Sequence, residues 1–183
     1  MSGCCDTSCA VEAQGARQRS TLRAVLGINA VMFVAVLAAA LYASSSALLA
    51  DSLDDFGDAV TYAISLYAIS RGAAVKARVA LFKGVLILLA ALAVAGQVAY
   101  KLVVPVTPVF EVMGAFSLLA LAANGLCLFL LWRHRHEDVN MSSVWECSRN
   151  DVATNLSVFV AAAGVWLTHS GWPDIVVALA LVA

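Results

Sequence analysis

Charge is what this sequence has least of. Of its 183 residues, 13% are charged and 62% are hydrophobic, and the mean hydropathy is +0.89. A soluble domain carries about 25% charged and about 45–50% apolar residues, so a soluble globular domain is excluded. Eleven Lys and Arg against twelve Asp and Glu leave a net charge of -1, which gives nucleic acid no basic surface to bind. Only three prolines are present, at positions 105, 108 and 173, and they suit helix ends rather than interiors. The stretch from Met1 to Arg23 has no apolar core, so it is not a cleaved secretory signal. Cysteine is sparse and odd in number: Cys4, Cys5, Cys9, Cys127 and Cys147. A disulfide framework does not follow, and reduced, cytosol-facing thiols fit better. No HExxH, GxSxG, P-loop or dinucleotide fingerprint appears, so the expectation is that the protein is not an enzyme.

What the sequence has is long apolar runs. A membrane-spanning helix needs roughly 20 mostly apolar residues. Runs of that kind are predicted at about 22–42, 47–69, 79–102, 109–132 and 144–168. A sixth opens at Pro173 and reaches Ala183, which is about half a span at 1.5 Å per residue. The expected fold is therefore an all-α membrane protein, a six-helix bundle whose last helix is incomplete in this chain. Residues 1–21 are expected to form a cytoplasmic, Cys-containing tail before it, with no C-terminal cytoplasmic domain expected in this chain. Basic residues set the orientation. Arg17, Arg19 and Arg23, then Arg71, Lys76 and Arg78, then Arg133 and Arg135 fall on alternate sides of the runs from the uncharged connections. The N-terminus and the 71–78 and 133–143 loops are thereby placed in the cytoplasm, in a multi-pass protein of the cell inner membrane.

Against this apolar background, residues 50–59 read ADSLDDFGDA. At 100° per residue, Asp54, Asp55 and Asp58 fall at about -60°, +40° and -20° from Asp51, all within an arc of about 100°. An acidic residue at mid-bilayer costs on the order of 2.5–3.5 kcal/mol on insertion scales, so this face must meet protein, water or a cation. The fifth run opens on WECSRND, which puts Cys147 and Asp151 one turn apart, with Asn155 a turn later. Asp54 and Asp58 share that i, i+4 spacing. Two helices, each offering a pair of ligands, can build a four-ligand site for a divalent cation, and Zn²⁺ takes oxygen and sulfur donors in tetrahedral geometry.

Each residue also has a plainer reading. Asp51 fits a helix N-cap, Cys147 a small buried hydrophobe, and Asp151 an ion pair with Arg149 or Arg135. Cys127 reads as a packed thiol, Glu111 as a first-turn acid, and Asn29 and Asn124 as interhelical hydrogen-bonding amides. His134 and His136 read as solvated loop histidines or metal-collecting groups, and His169, at the outer end of the fifth run, as an exit-side proton or metal group. The tail CCDTSC holds three thiols within six residues; Cys4, Cys5 and Cys9 either collect metal on a flexible arm or sit in an inert tail.

The strings SSSALLADSLDDFGD, CSRNDVATNLSVFVAAAGV and GWPDIVVALALVA resemble the second, fifth and sixth helices of the cation diffusion facilitator family, over about Leu22 to Ala183. The resemblance implies a six-helix transmembrane bundle, usually a homodimer with cytoplasmic termini. It implies efflux of a divalent metal in exchange for protons, with Asp54, Asp58, Cys147 and Asp151 as the transport ligands. Asp51, Asp55 and Asn155 would then lie behind the ligands or at the site's entrance. The family commonly has His or Asp where Cys147 stands. A thiolate is softer and favours Zn²⁺ or Cd²⁺ over Mn²⁺. The expected substrate is therefore Zn²⁺ or Cd²⁺, with no prosthetic group, and the expected partners are the lipid bilayer, protons and a second copy of the chain. The rival readings are a membrane metal-binding or sensing protein that does not transport, and a thiol relay that carries soft metals by ligand exchange.

Overall fold

A computed structural model of the chain describes residues 4–68, 73–136 and 139–182, with side chains described at 16–64, 66, 85–86, 88–136, 141–142 and 144–181. It is an all-α membrane bundle of six helices. These are α1 (Cys4–Ala43), α2 (Ser46–Ala68), α3 (Ala73–Val103), α4 (Phe110–Trp132), α5 (Val139–Thr168) and α6 (Trp172–Val182). Among the described residues, Ala16–Ala43, Phe110–Trp132 and Val144–Thr168 are long and apolar enough to cross a membrane, with shorter apolar helices at Leu88–Val103 and Trp172–Leu181. Helix α2 is outside that group because it carries four aspartates.

Helices α1, α3 and α5 start earlier than the apolar runs suggest, at Cys4, Ala73 and Val139. Apolar length marks bilayer depth, whereas a helix continues through polar residues wherever no proline or cap stops it. The segment expected to be a flexible tail is thus helical from Cys4. The expected 71–78 connection is helical from Ala73, so Lys76 and Arg78 fall in α3; Arg71 and the side chains of Cys4, Cys5, Cys9, Lys76 and Arg78 lie outside the described residues.

The α1–α2 connection is as short as a helical hairpin allows. Ser44 takes a left-handed φ of 51°. Its N–H donates to the Leu41 carbonyl at 3.4 Å, and the Ser45 N–H donates to the Ala40 carbonyl at 3.0 Å. This is the Schellman pattern with serine in the place usually taken by glycine. Ser45 is at once the N-cap of α2, its Oγ accepting from the Leu48 N–H at 3.0 Å. The first free N–H groups of α2 are met by a side chain from α6. Asp174 accepts from the Ser46 N–H at 2.8 Å, the Ala47 N–H at 3.0 Å and the Ser45 hydroxyl at 2.6 Å. Lys101, near the end of α3, closes the group with its Nζ 2.8 Å from Asp174. One carboxylate therefore ties three helix ends together, and it satisfies donors that would otherwise be orphaned. The plainer reading of Asp51 as a cap does not hold: α2 starts at Ser46, and its first turn carries no acid.

Helix α2 packs on α1, α3, α5 and α6. Two apolar clusters stand at different levels of the bundle. One includes Met32, Val36, Leu48, Val98, Met113, Val158 and Val165; the other holds Leu22, Val25, Tyr62, Leu131, Met141 and Val144. On each of α1, α2, α4 and α5, buried polar groups fall between the two clusters: Asn29 on α1, Asp51, Asp55 and Asp58 on α2, Asn124 on α4, and Ser148, Asp151 and Asn155 on α5. The interior is a polar belt between two greasy layers.

Candidate functional site

The belt opens into a cavity of about 290 Å³, far larger than the 10–15 Å³ that a single water requires. Asp54, Gly57 and Asp58 of α2 line one side, and Cys147, Asn150, Asp151 and Thr154 of α5 line another. Ala90, Ala91 and Val94 of α3 and Leu181 of α6 complete the wall with hydrocarbon. The four residues with matching i, i+4 spacing thus border one space. The Asp58 and Asp151 side chains are in hydrogen-bonding contact across α2 and α5. The set is not collapsed: among the described residues, no three His, Cys, Asp or Glu side chains are grouped tightly enough to hold a metal ion.

Helical geometry divides the four aspartates of α2 into two pairs. Asp54 and Asp58 turn to the cavity, and Asp54 is exposed in it. Asp51 and Asp55 are 2% and 4% exposed and do not line it. Asp55 instead accepts a hydrogen bond from the Asn124 amide of α4. The angular offsets of Asp51 and Asp55 put them on the α4 side of the same arc, so they stand behind the cavity rather than at a mouth. Asn155 donates to the Asp151 carbonyl at 2.7 Å, one turn back. Among the described residues, Asp51 Oδ2, Asp55 Oδ2, Asp151 Oδ2, Asn29 Oδ1, Asn124 Oδ1 and Asn155 Oδ1 are buried without a hydrogen-bond partner. Such atoms each cost about 1–3 kcal/mol when left unmade, and six of them in one belt mark it as something other than a packing core.

The surrounding residues settle several alternatives. Arg149 pairs with Glu146 at 2.6 Å rather than with Asp151, and Arg135 stacks 3.9 Å over Trp132. Cys147 is a half-buried thiol on the cavity wall, whereas Cys127 is buried and accepts from Asn29 Nδ2 at 3.8 Å. His134 lies 3.3 Å from Thr21 Oγ1, and His169, at a φ of 48°, ends α5 in the left-handed region. Neither histidine borders the cavity.

Sequence reasoning passed over two residues. Tyr62, fully buried, donates its hydroxyl proton to Asp58 Oδ2 at 2.6 Å. Ser148 Oγ lies 3.3 Å from the same phenol oxygen. The signal was present in the spacing, since Tyr62 is one turn after Asp58 and Ser148 is next to Cys147, but both look like ordinary members of apolar runs.

A family model described as the cation efflux transmembrane domain matches residues 22–183. A comparison with curated proteins gave no match.

Proposed function

We propose, from the premise that this chain belongs to the cation efflux family and is an integral-membrane metal cation transporter, that it moves Zn²⁺ or Cd²⁺ out of the cytoplasm in exchange for protons. The observation that carries this reading is the cavity on which Asp54, Asp58, Cys147 and Asp151 converge from two helices. Three carboxylates and a thiol match a divalent, borderline-soft ion in both charge and donor type. The contact between Asp58 and Asp151 supports the exchange. Two carboxyl groups that close cannot both stay ionised with nothing between them. They share a proton or they share a cation, and the two compete for the same lone pairs.

Loading then runs as follows. The cation displaces the shared proton and draws Asp54 and Cys147 in toward the Asp58–Asp151 pair. Asn124 and the buried carboxylates of Asp51 and Asp55 hold the α2 face from behind. The apolar layer around Tyr62 and Leu131 and the layer around Leu48 and Met113 keep water from crossing past the site, so that access from each side requires one layer to open. Rocking of one part of the bundle against another around a fixed central site gives alternating access. The basic loops support a cytoplasmic N-terminus, the inward proton gradient drives the exchange toward efflux, and the protein acts in the inner membrane as a homodimer.

The test is flux into proteoliposomes carrying the full chain under an imposed pH gradient. Wild type takes up Zn²⁺ or Cd²⁺, with proton movement in the opposite direction, and Asp58→Ala does not. Wild-type flux by Asp58→Ala overturns the reading. Metal binding without flux in the wild type favours the sensing alternative instead.

A further inference from the structure

Asp58 has two oxygens, and the structure commits one of them. Tyr62 lies one turn beyond Asp58 on α2, is fully buried, and does not border the cavity. It sits in the apolar layer with Leu22, Val25, Leu131 and Val144. Its hydroxyl reaches Asp58 Oδ2 at 2.6 Å, the length of a charge-assisted O–H···O⁻ bond. A phenol has one proton, and it is spent on Asp58. The contact to Ser148 Oγ at 3.3 Å therefore runs the other way, with the serine donating to the phenol oxygen. Ser148, Tyr62 and Asp58 form a directed chain from α5 to α2 in which each bond polarises the next.

We infer that Tyr62, braced by Ser148, is a specificity-determining residue: by anchoring Asp58 Oδ2 toward the apolar layer it leaves Asp58 a single oxygen for the cavity, and so selects a small four-coordinate cation. This rests on the reading of the cavity as the transport site. A carboxylate chelates with both oxygens only if it can turn its plane to the ion. The Tyr62 bond opposes that turn. Zn²⁺ loses little, since it is content with one oxygen per carboxylate at four-coordination. A cation that wants six oxygen donors, such as Mn²⁺, loses a ligand it would otherwise take. The thiol of Cys147 disfavours Mn²⁺ through softness; the Tyr62 bond disfavours it through geometry, and the two contributions are separable.

The experiment is competitive binding of Zn²⁺ and Mn²⁺ to the purified full chain in lipid nanodiscs, with X-ray absorption on the Mn²⁺-loaded protein. Tyr62→Phe keeps the ring in its apolar layer and removes only the hydroxyl. The ratio of the Mn²⁺ to the Zn²⁺ dissociation constant is expected to fall by about ten-fold, the lower end of what one hydrogen bond to a charged group is worth. The Mn²⁺ shell is expected to gain an oxygen. A purely structural role for Tyr62 would weaken both ions alike and leave the ratio where it was; an unchanged ratio overturns the inference. Ser148→Ala is expected to move the ratio the same way by less, and it decides the matter if Tyr62→Phe does not fold: an unchanged ratio there is also a refutation. Asp58→Ala in the same assay keeps the two levels apart. If it binds Zn²⁺ as wild type does, the site itself is misplaced; if it loses Zn²⁺ while Tyr62→Phe leaves the ratio unchanged, only the selectivity role fails.

Discussion

Lys101 and Asp174 are exposed by 4% and 0%, and their charged atoms are 2.8 Å apart. Breaking such a buried pair from one side usually costs about 3–5 kcal/mol, because the survivor is a buried charge without compensation. The two sides are not equivalent here. Lys101→Met leaves Asp174 with the Ser45 hydroxyl and the Ser46 and Ala47 N–H groups at 2.6, 2.8 and 3.0 Å. Those donors, with the positive end of the α2 dipole, hold the cost at about 2–3 kcal/mol. Asp174→Leu removes the carboxylate that Lys101 Nζ meets at 2.8 Å and leaves a buried ammonium, and it strips the α2 cap as well. The expected cost is about 4–6 kcal/mol, the buried-pair range plus about 1 kcal/mol for the cap. In the double variant no charge is stranded, and the loss falls to about 1–3 kcal/mol, that of the cap and its hydrogen bonds. The assay is reversible unfolding of the four proteins in one micelle system, read by tryptophan fluorescence, as a double-mutant cycle. A strongly non-additive cycle, with Asp174→Leu the worse single change, supports the clamp. Additivity within about 0.5 kcal/mol, the behaviour of independent sites, refutes it.

Ser44→Gly should stabilise the α1–α2 hairpin by up to about 1 kcal/mol, since glycine relieves the left-handed φ of 51°; a thermal melt in micelles reads it. Gly164→Ala should destabilise by about 1–3 kcal/mol in the same melt, because a Cβ there would stand 2.8 Å from Pro173 Cβ, with the ring unable to give way. Affinity for Zn²⁺ should rise with pH as protons leave the carboxylates and the Cys147 thiol, and titration calorimetry in two buffers of different protonation enthalpy should show proton release on binding. Cys147→Asp should shift preference from Cd²⁺ toward Mn²⁺, by exchanging a soft donor for a hard one; competition binding reads the order.

The fold was legible wherever hydrocarbon had to be long enough to cross a bilayer. The apolar runs delimit α2, α4 and α6 to within a residue or two, because those helices start just after the chain turns at Ser44, Val109 or Gly171. The starts of α1, α3 and α5 were not legible, since polar residues such as those before Leu22 neither need a bilayer nor stop a helix. In the site, the helical wheel places Asp54 and Asp58 on one flank of the arc and Asp51 and Asp55 on the other, and only the packing of α4 through Asn124 tells which flank meets the cavity. The Lys101–Asp174 clamp could not be read: its partners are 73 positions apart, and each looks like a charge at the edge of a connection. Tyr62 was hidden for the opposite reason, as an aromatic among apolar neighbours whose one polar atom matters only once Asp58 is found beneath it.

The central claim is that one cation is held jointly by α2 and α5. The direct measurement is the ultraviolet thiolate-to-cadmium charge-transfer band, titrated with Cd²⁺ in a background carrying Cys4→Ser, Cys5→Ser and Cys9→Ser so that the tail thiols are silent. The account predicts a band that saturates at one Cd²⁺ per chain, disappears in Cys147→Ser, and shifts to much higher Cd²⁺ in Asp58→Asn on the opposite helix. A band that survives Cys147→Ser, or a titration indifferent to Asp58, would contradict it.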